Sequence, residues 1–282
     1  MNEPLPEILL RPIVEAALRE DIRSGDVTTD VLIPSGTMAR ASMVARESGV
    51  FCGLQMARLA FAVLDAAAKF TAIKADGETI SAGETVLQIE GAARAILTAE
   101  RVALNFVQRL SGIATLTRRF VEATAGTKAR IADTRKTTPG LRLLEKYAVR
   151  CGGGANHRFA LDDLILIKDN HIALCGGIAA VVRRAHEGSG HAVKIEVECD
   201  TLEQVREAVE ARADIILLDN MPAGQLREAV AIIDGRAMAK ASGGVNLDTV
   251  RAIAESGVDI ISVGALTHSA PALDLGLDIE LG

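Results

Sequence analysis

The sequence predicts an α/β fold in two parts, an α+β module followed by a run of βα units that form a barrel. Three features of the chain lead there. Its 282 residues suffice for about two domains and a substantial core. From residue 129 onward, short apolar strand patterns alternate with amphipathic helix patterns, the arrangement of parallel strands joined by crossover helices. Hydrophobic residues make up 49% of the chain but aromatics only 2%, so Ala, Val, Ile and Leu must fill the core, as helices packed on buried parallel strands require.

In the first part, a helical pattern runs from Glu7 to Arg19 and is followed by Ser24-Gly25-Asp26. Partial period-two patterning from Thr37 to Arg46 predicts a strand, punctuated afterwards by Gly49 and Gly53. Leu54 to Ala67 predicts a helix and Phe70 to Lys74 a strand. Turns at Asp76-Gly77 and Ala82-Gly83 flank a further short strand ending near Glu90. The apolar-periodic stretch Leu97 to Val121 predicts one or two helices leading out of this module. In the second part the strands are Ala129–Asp133, Leu164–Lys168, Lys194–Glu198, Ile215–Asp219, Ala237–Ala241 and Ile260–Val263. Helices are predicted at Gly177–Ala185, Thr201–Arg212, Pro222–Ile233 and Asn246–Ser256. Six clear strands with short connections favour a small or irregular barrel over a regular eightfold one.

Composition excludes several classes. Lys and Arg total 31 against 37 for Asp and Glu, a net charge of −6, opposite to that of a general nucleic-acid binder. The lack of aromatic platforms also disfavours base stacking. Cys52, Cys151, Cys175 and Cys199 lie far apart with no C-x-x-C, which argues against zinc-ribbon and thioredoxin-type sites and reads as reduced thiols of a cytoplasmic protein. Met1-Asn2-Glu3-Pro4 does not resemble the start of a signal peptide, and no stretch reaches the roughly 20 apolar residues of a membrane span. Neither a nucleic-acid nor a membrane partner is expected.

Polar residues gather at one end of the predicted strands. Asp133, Arg135 and Lys136 follow the first, and Lys168, Asp169, Asn170 and His171 end the second. Glu196 and Glu198 lie in the third, Asp219 and Asn220 close the fourth, Ser242-Gly243-Gly244 follows the fifth, and Gly264 follows the sixth. In parallel strands these groups converge on the carboxyl-terminal face, where barrel active sites form. Between Arg135 and Lys168, seven cations face three anions in an otherwise acidic protein, which suits a pocket for a small anionic substrate. Arg142, Lys146 and Arg150 could equally be solvated helix positions. Guanidinium forks match planar carboxylates, whereas ammonium groups act as compact charges for phosphate or pyrophosphate. The Ser-Gly-Gly turn, read as opening a helix near Asn246, is a phosphate-type loop, although alone it is often only a tight turn. Glu198 and Asp219 end successive strands and could share a hard cation such as Mg²⁺ with water and substrate phosphates, or simply pair with Lys194 or Lys168. His157 beside Arg158 could donate to a carboxylate. His171, His186, His191 and His268 lack the spacing of a zinc set.

These residues form a longer pattern. Asp133-Thr134-Arg135-Lys136-Thr137-Thr138-Pro139-Gly140, Lys146-Tyr147-Ala148-Val149, Gly152-Gly153-Gly154, Asn156-His157-Arg158 and Ile167-Lys168-Asp169-Asn170-His171 together resemble the quinolinate phosphoribosyltransferase family. Gly25-Asp26-Val27-Thr28-Thr29, Glu100-Arg101 with Leu104-Asn105, Ser111-Gly112-Ile113-Ala114-Thr115 and Val263-Gly264-Ala265-Leu266-Thr267-His268-Ser269 extend the likeness over nearly the whole chain.

The resemblance implies an amino-terminal α+β sandwich-like domain over residues 1–115 and an incomplete α/β barrel of the seven-stranded type over 116–282, with the last residues able to pack back on the first domain. It implies transfer of phosphoribosyl from phosphoribosyl pyrophosphate to quinolinate with loss of CO₂, in a homodimer sharing its sites. Arg135, His157, Arg158 and Lys168 would bind the two carboxylates of quinolinate, with Arg101 from the neighbouring subunit. Lys136 would lie beside the substrates, Glu198 and Asp219 would serve Mg²⁺ and pyrophosphate, and Ser242, Gly243, Gly244 and Gly264 would hold the 5-phosphate. Lys136, Lys168, Glu198 and Asp219 are thus the expected catalytic set. One departure is Lys240, where the family usually carries Glu. Two other readings stay open: a Schiff-base aldolase using Lys168 or Lys194, and a scaffold relative with another pyridine or metal-oxyanion role.

Overall fold

The computed structural model describes residues 3–281. Along the chain come α1 (Glu7–Ile22), α2 (Val27–Leu32), β1 (Met38–Ala45), β2 (Gly49–Val50), α3 (Leu54–Leu64), β3 (Lys69–Ala72), β4 (Thr79–Ile80), β5 (Thr85–Ala92) and the long α4 (Ala93–Ala123). Next are β6 (Arg130–Ala132), α5 (Arg142–Cys151), β7 (Ile165–Ile167), α6 (Asp169–Cys175), α7 (Ile178–Gly188), β8 (Ile195–Cys199) and α8 (Leu202–Glu210). The chain closes with β9 (Ile215–Asp219), α9 (Ala223–Ile233), β10 (Met238–Ser242), α10 (Val250–Ala254), β11 (Ile260–Ser262), α11 (Ala265–His268) and β12 (Leu275–Leu281).

Two compact units result. The first takes the chain as far as Arg118, together with Pro139–Gly153 and the segment from Ala270 onward; the second holds Arg119–Thr138 and Gly154–Ser269. Two elements from beyond the expected boundary near residue 115 join the first unit. β12 pairs antiparallel with β1. α5 is fastened within the first unit by Arg109, whose guanidinium donates to the fully buried Glu145 at 2.8 Å, and by the Tyr147 hydroxyl, which donates to Asp76 at 2.8 Å.

In the first unit the sheet order is β12-β1-β5-β3, antiparallel throughout, with Ala41 opposite both Ile89 and Ile279. Ala39, Ala41, Met43 and Ala45 are buried on one face of β1, so the period-two pattern is that of a half-buried strand. α4 is a single helix of 31 residues. Ile96, Ala99, Ala103, Val107, Leu110 and Ala114 recur at helical spacing along its buried stripe. The Ser111 hydroxyl accepts from the Cys52 N–H at 2.9 Å and donates to the Cys52 carbonyl at 3.1 Å, closing both backbone groups of a buried residue.

In the second unit six parallel strands run in the order β6-β11-β10-β9-β8-β7. Each lies within two residues of its predicted position. The seventh strand is reduced to one parallel bridge between Ala155 and Ala132. Register aligns Glu198, Leu217, Lys240, Ile260 and Arg130 across five neighbouring strands, and Asp219 with Ser242 in the next row. The predicted helix at 246–256 is shorter, because the Asn246 side chain accepts from the Asp248 and Thr249 N–H groups and holds a turn ahead of α10. The Ser-Gly-Gly turn therefore opens onto a loop, and the helix-dipole argument for it falls. Among the described residues no helix is long and apolar enough to cross a membrane.

A Cβ added at Gly112 would sit 1.9 Å from the Pro271 carbonyl oxygen. Gly112→Ala should therefore force backbone apart and cost about 1–3 kcal/mol, read as a lower urea midpoint.

Candidate active site

Strand periodicity builds the site. In β7 to β10 the residues Leu166, Lys168, Glu198, Leu217, Asp219, Lys240 and Ser242 face a cavity of about 420 Å³ at the carboxyl ends, while Ile167, Val197, Leu218 and Ala241 are buried on the other side of the sheet. Thr134, Arg135 and Lys136 enter from beyond β6, His157 and Arg158 from the loop after Ala155, and Ser262 from the end of β11. The volume suits a small-molecule site.

The floor is a buried ion chain. Lys240 Nζ donates to Glu196 Oε1 at 2.8 Å, and His157 Nε2 lies 2.8 Å from Glu196 Oε2. Glu196 is fully buried and Lys240 only 4% exposed, so neither charge is solvated. Burial alone would push the Glu196 carboxyl up, but the His157 hydrogen bond and the Lys240 charge hold it below the usual carboxylate range. Burial draws the Lys240 ammonium downward, and the same carboxylate opposes that shift.

The loop carrying the cations is fixed by Asp133. This buried carboxylate accepts from the His157 N–H at 2.9 Å and from Asn156 Nδ2 at 2.6 Å, tying residues 156–158 to the end of β6. Arg158 donates from Nη1 to the Leu164 carbonyl at 3.1 Å. The Nε atoms of Arg135 and Arg158 are buried and find no partner among the described residues. Burial, and then repulsion from Arg135, pull the Arg158 guanidinium below its ordinary value. Two guanidiniums in this state attract a dianion that would satisfy both.

On the opposite wall, Lys168 Nζ donates to Glu198 Oε2 at 2.5 Å, and Asn220 Nδ2 donates to Asp219 Oδ2 at 2.6 Å. The Asn220 N–H donates to the Ser242 carbonyl at 2.9 Å, which joins the ends of β9 and β10. Gly243 has φ +93°, and a Cβ there would lie 2.1 Å from Asn220 Oδ1, so the Ser-Gly-Gly turn needs glycine at its centre. A Cβ at Gly264 would come within 3.3 Å of Lys136 Cδ.

Most predicted site residues thus meet in one place. Arg135, Lys136, His157, Arg158, Lys168, Glu198, Asp219 and Ser242 all line the cavity, and Gly243 and Gly244 continue the turn from Ser242. Arg101 lies exposed on α4 in the first unit and is not part of this lining. Of the three cations with two readings, Lys146 is buried, Arg142 is half-buried and Arg150 stacks over the Tyr147 ring at 5.5 Å; none lines the cavity. His171 Nδ1 accepts from the Lys168 N–H at 2.9 Å and caps α6. All four cysteines are free thiols. Among the described residues no three His, Cys, Asp or Glu side chains form a metal cluster.

The model of the quinolinate phosphoribosyl transferase amino-terminal domain matches residues 26–111, and that of the carboxy-terminal domain matches residues 113–278. The chain belongs to the quinolinate phosphoribosyl transferase family. It is 44% identical over 272 residues to a Bacillus subtilis protein named probable nicotinate-nucleotide pyrophosphorylase (carboxylating), covering 96% of this chain and 94% of that one. A Mycobacterium leprae nicotinate-nucleotide pyrophosphorylase (carboxylating) is 45% identical over 278 residues, with 95% and 96% covered. Among solved structures, NadC from Streptococcus pyogenes superposes with a TM-score of 0.96 at 41% identity and 99% coverage of both chains. The nicotinate-nucleotide pyrophosphorylase from Francisella tularensis gives 0.95 at 40% identity, covering 99% of this chain and 98% of that one.

Within this quinolinate phosphoribosyl transferase chain, sequence reasoning missed two polar cavity residues and the partner of a third. Thr134 and Ser262 carried a signal only in hindsight, as polar side chains at or just beyond strand ends. Lys240 stands out in the sequence where the resemblance implies Glu, but its pairing with Glu196 depends on the register of β8, β9 and β10.

Removing one member of a buried ion pair leaves the other uncompensated. Lys240→Met should lose about 3 kcal/mol or more, and the double variant Glu196→Gln with Lys240→Met should recover part of that loss, both read by chemical denaturation. Because the Glu196 pKa is lowered in the fold, its stabilisation is complete above the ordinary value of 4.5 and is lost as pH falls through the lower folded value. Glu196→Gln should flatten the acid limb of the stability profile.

Proposed function

We propose that this protein transfers the phosphoribosyl group of phosphoribosyl pyrophosphate to the ring nitrogen of quinolinate, with loss of CO₂, giving nicotinate mononucleotide and pyrophosphate for NAD biosynthesis. The observation that carries this reading is the cavity in which Arg135 and Arg158 present buried, unpartnered Nε atoms next to Lys136, Lys168 and Lys240. The family membership and the names of its relatives agree with it.

The residues have separable tasks. Arg135, Arg158, His157 and Lys168 grip the diacid and aim the ring nitrogen, so that much of the rate comes from orientation. Lys136 and Lys168 offer positive charge where the pyrophosphate departs and the ribose C1 gains oxocarbenium character. The Ser242-Gly243-Gly244 turn and Gly264 take the 5-phosphate. Once the nitrogen is ribosylated the ring is cationic, and the electron pair left at C2 when CO₂ departs is stabilised by that adjacent charge. Decarboxylation therefore follows transfer. C2 then takes a proton, and no covalent enzyme intermediate is needed.

Glu198 and Asp219 are hard oxygen donors on neighbouring strands facing one cavity, a pair that fits Mg²⁺ held jointly with substrate oxygens. When bound, that ion would neutralise charge on the leaving pyrophosphate. Arg101, exposed on α4, is proposed to complete the site of a second copy in a homodimer, and the protein is proposed to work in the cytoplasm. An aldolase reading has no support in the geometry: Lys168 is ion-paired to Glu198 at 2.5 Å and Lys194 to Asp214 at 2.7 Å.

Incubation with quinolinate, phosphoribosyl pyrophosphate and Mg²⁺ should release nicotinate mononucleotide, pyrophosphate and CO₂ in equal amounts; no product at saturating substrate would refute the assignment. Phthalate, a diacid lacking the ring nitrogen, should raise the melting temperature of the wild type but leave Arg158→Ala and Arg135→Ala unmoved. Chelation should abolish turnover and added Mg²⁺ restore it, with Asp219→Asn lowering kcat about a hundred-fold.

A further inference from the structure

Ser262 ends β11, where it is 5% exposed and lines the cavity, yet its hydroxyl has no hydrogen-bond partner among the described residues. A buried hydroxyl without a partner is destabilising, and native structures rarely retain one unless it meets something that binds there. Nothing assigned above uses it.

Register says what it meets. Ala241 of β10 pairs with Ile261 of β11, so Ser242 and Ser262 each stand one residue past that pair on adjacent strand ends. Ser242 is aligned with Asp219 on its other side. Ser262 thus continues the row of Asp219 and Ser242 and lies two residues before Gly264, and its partner on β6 is the apolar Ala132. We propose that Ser262 is a substrate-binding residue whose hydroxyl donates to an oxygen of the phosphoribosyl group, beside the Ser242 turn. This rests on the transferase reading above and extends it to a residue outside the glycine turns.

A hydroxyl held for substrate differs from one held for structure in how its loss divides between affinity and stability. Ser262→Ala should raise the KM for phosphoribosyl pyrophosphate about ten-fold, the effect of losing one hydrogen bond to a charged group. The quinolinate KM should stay within about two-fold, and the melting temperature should be unchanged or higher, since no internal hydrogen bond is lost. Ser256 serves as the contrast: it is equally buried, lies outside the cavity, and donates to the Ile253 carbonyl at 2.6 Å, so Ser256→Ala should lose stability and keep both KM values. An unchanged KM for phosphoribosyl pyrophosphate, a rise confined to quinolinate, or a fall in melting temperature matching Ser256→Ala would each overturn the proposal. Absence of turnover in the wild type would instead sink the transferase reading itself, and calorimetric titration of both proteins with phosphoribosyl pyrophosphate would still test Ser262.

Discussion

The Glu196 carboxylate, fully buried and shared between Lys240 and His157, is the interaction on which the cavity depends. Five Lys and Arg side chains line that cavity. Like charges at about 4 Å repel by roughly 4 kcal/mol at the effective dielectric of a protein surface, and by more where water is excluded. A wall of cations is tolerable only with fixed negative charge behind it. Glu196 supplies this at the floor and Glu198 on the side wall through Lys168. Asp133 adds to it as well: it holds the loop through the His157 N–H and Asn156, and its charge also supports the Lys240 ammonium. Arg135 and Arg158 are left with buried, unpaired Nε atoms, and their mutual repulsion becomes a preference for a dianion.

Lys240 is central to this balance. A glutamate there would set a second carboxylate against Glu196 in a region with almost no solvent. The lysine turns the same position into an ion pair and adds a positive charge under Arg158. The parallel register makes this possible, because Lys240 shares a row with Leu217 and Glu198, and Glu196 lies two residues earlier on β8.

How much of this could be read in the sequence depends on the range of the interaction. The six barrel strands and the strand β1 carry their own period, and the helices α1, α3, α7, α8 and α9 carry theirs, so local pattern located them. The short elements did not announce themselves: β2 and β4 have two residues each, and α6 and α11 are set by a cap and a turn. β12 forms because its edge meets β1, a partner more than two hundred residues away. The same division holds at the site. Lys168, Glu198, Asp219 and Ser242 were legible because strand ends in parallel sheets converge. The Lys240–Glu196–His157 chain joins two strands and a loop, and only register brings them within 2.8 Å. Ser262 was hidden for a related reason, since a serine closing an apolar strand is unremarkable until its missing partner is known.

Three groups that could act as nucleophiles are disarmed by their surroundings. Burial, followed by the charges of Asp200 and Glu198, pushes the Cys199 thiol up to about 12, so it stays protonated at neutral pH. Lys168 and Lys240 are tied to carboxylates. What is left is a site that works by charge and position, and under the proposed reaction its charge also favours turnover. Quinolinate enters as a dianion and relieves the Arg135–Arg158 repulsion. After transfer and loss of CO₂, the ring carries one carboxylate and one positive nitrogen, so the local ligand charge falls to zero. The repulsion that favoured entry of the substrate then returns against the product, and the same pair of guanidiniums that selects the diacid weakens the hold on the mononucleotide.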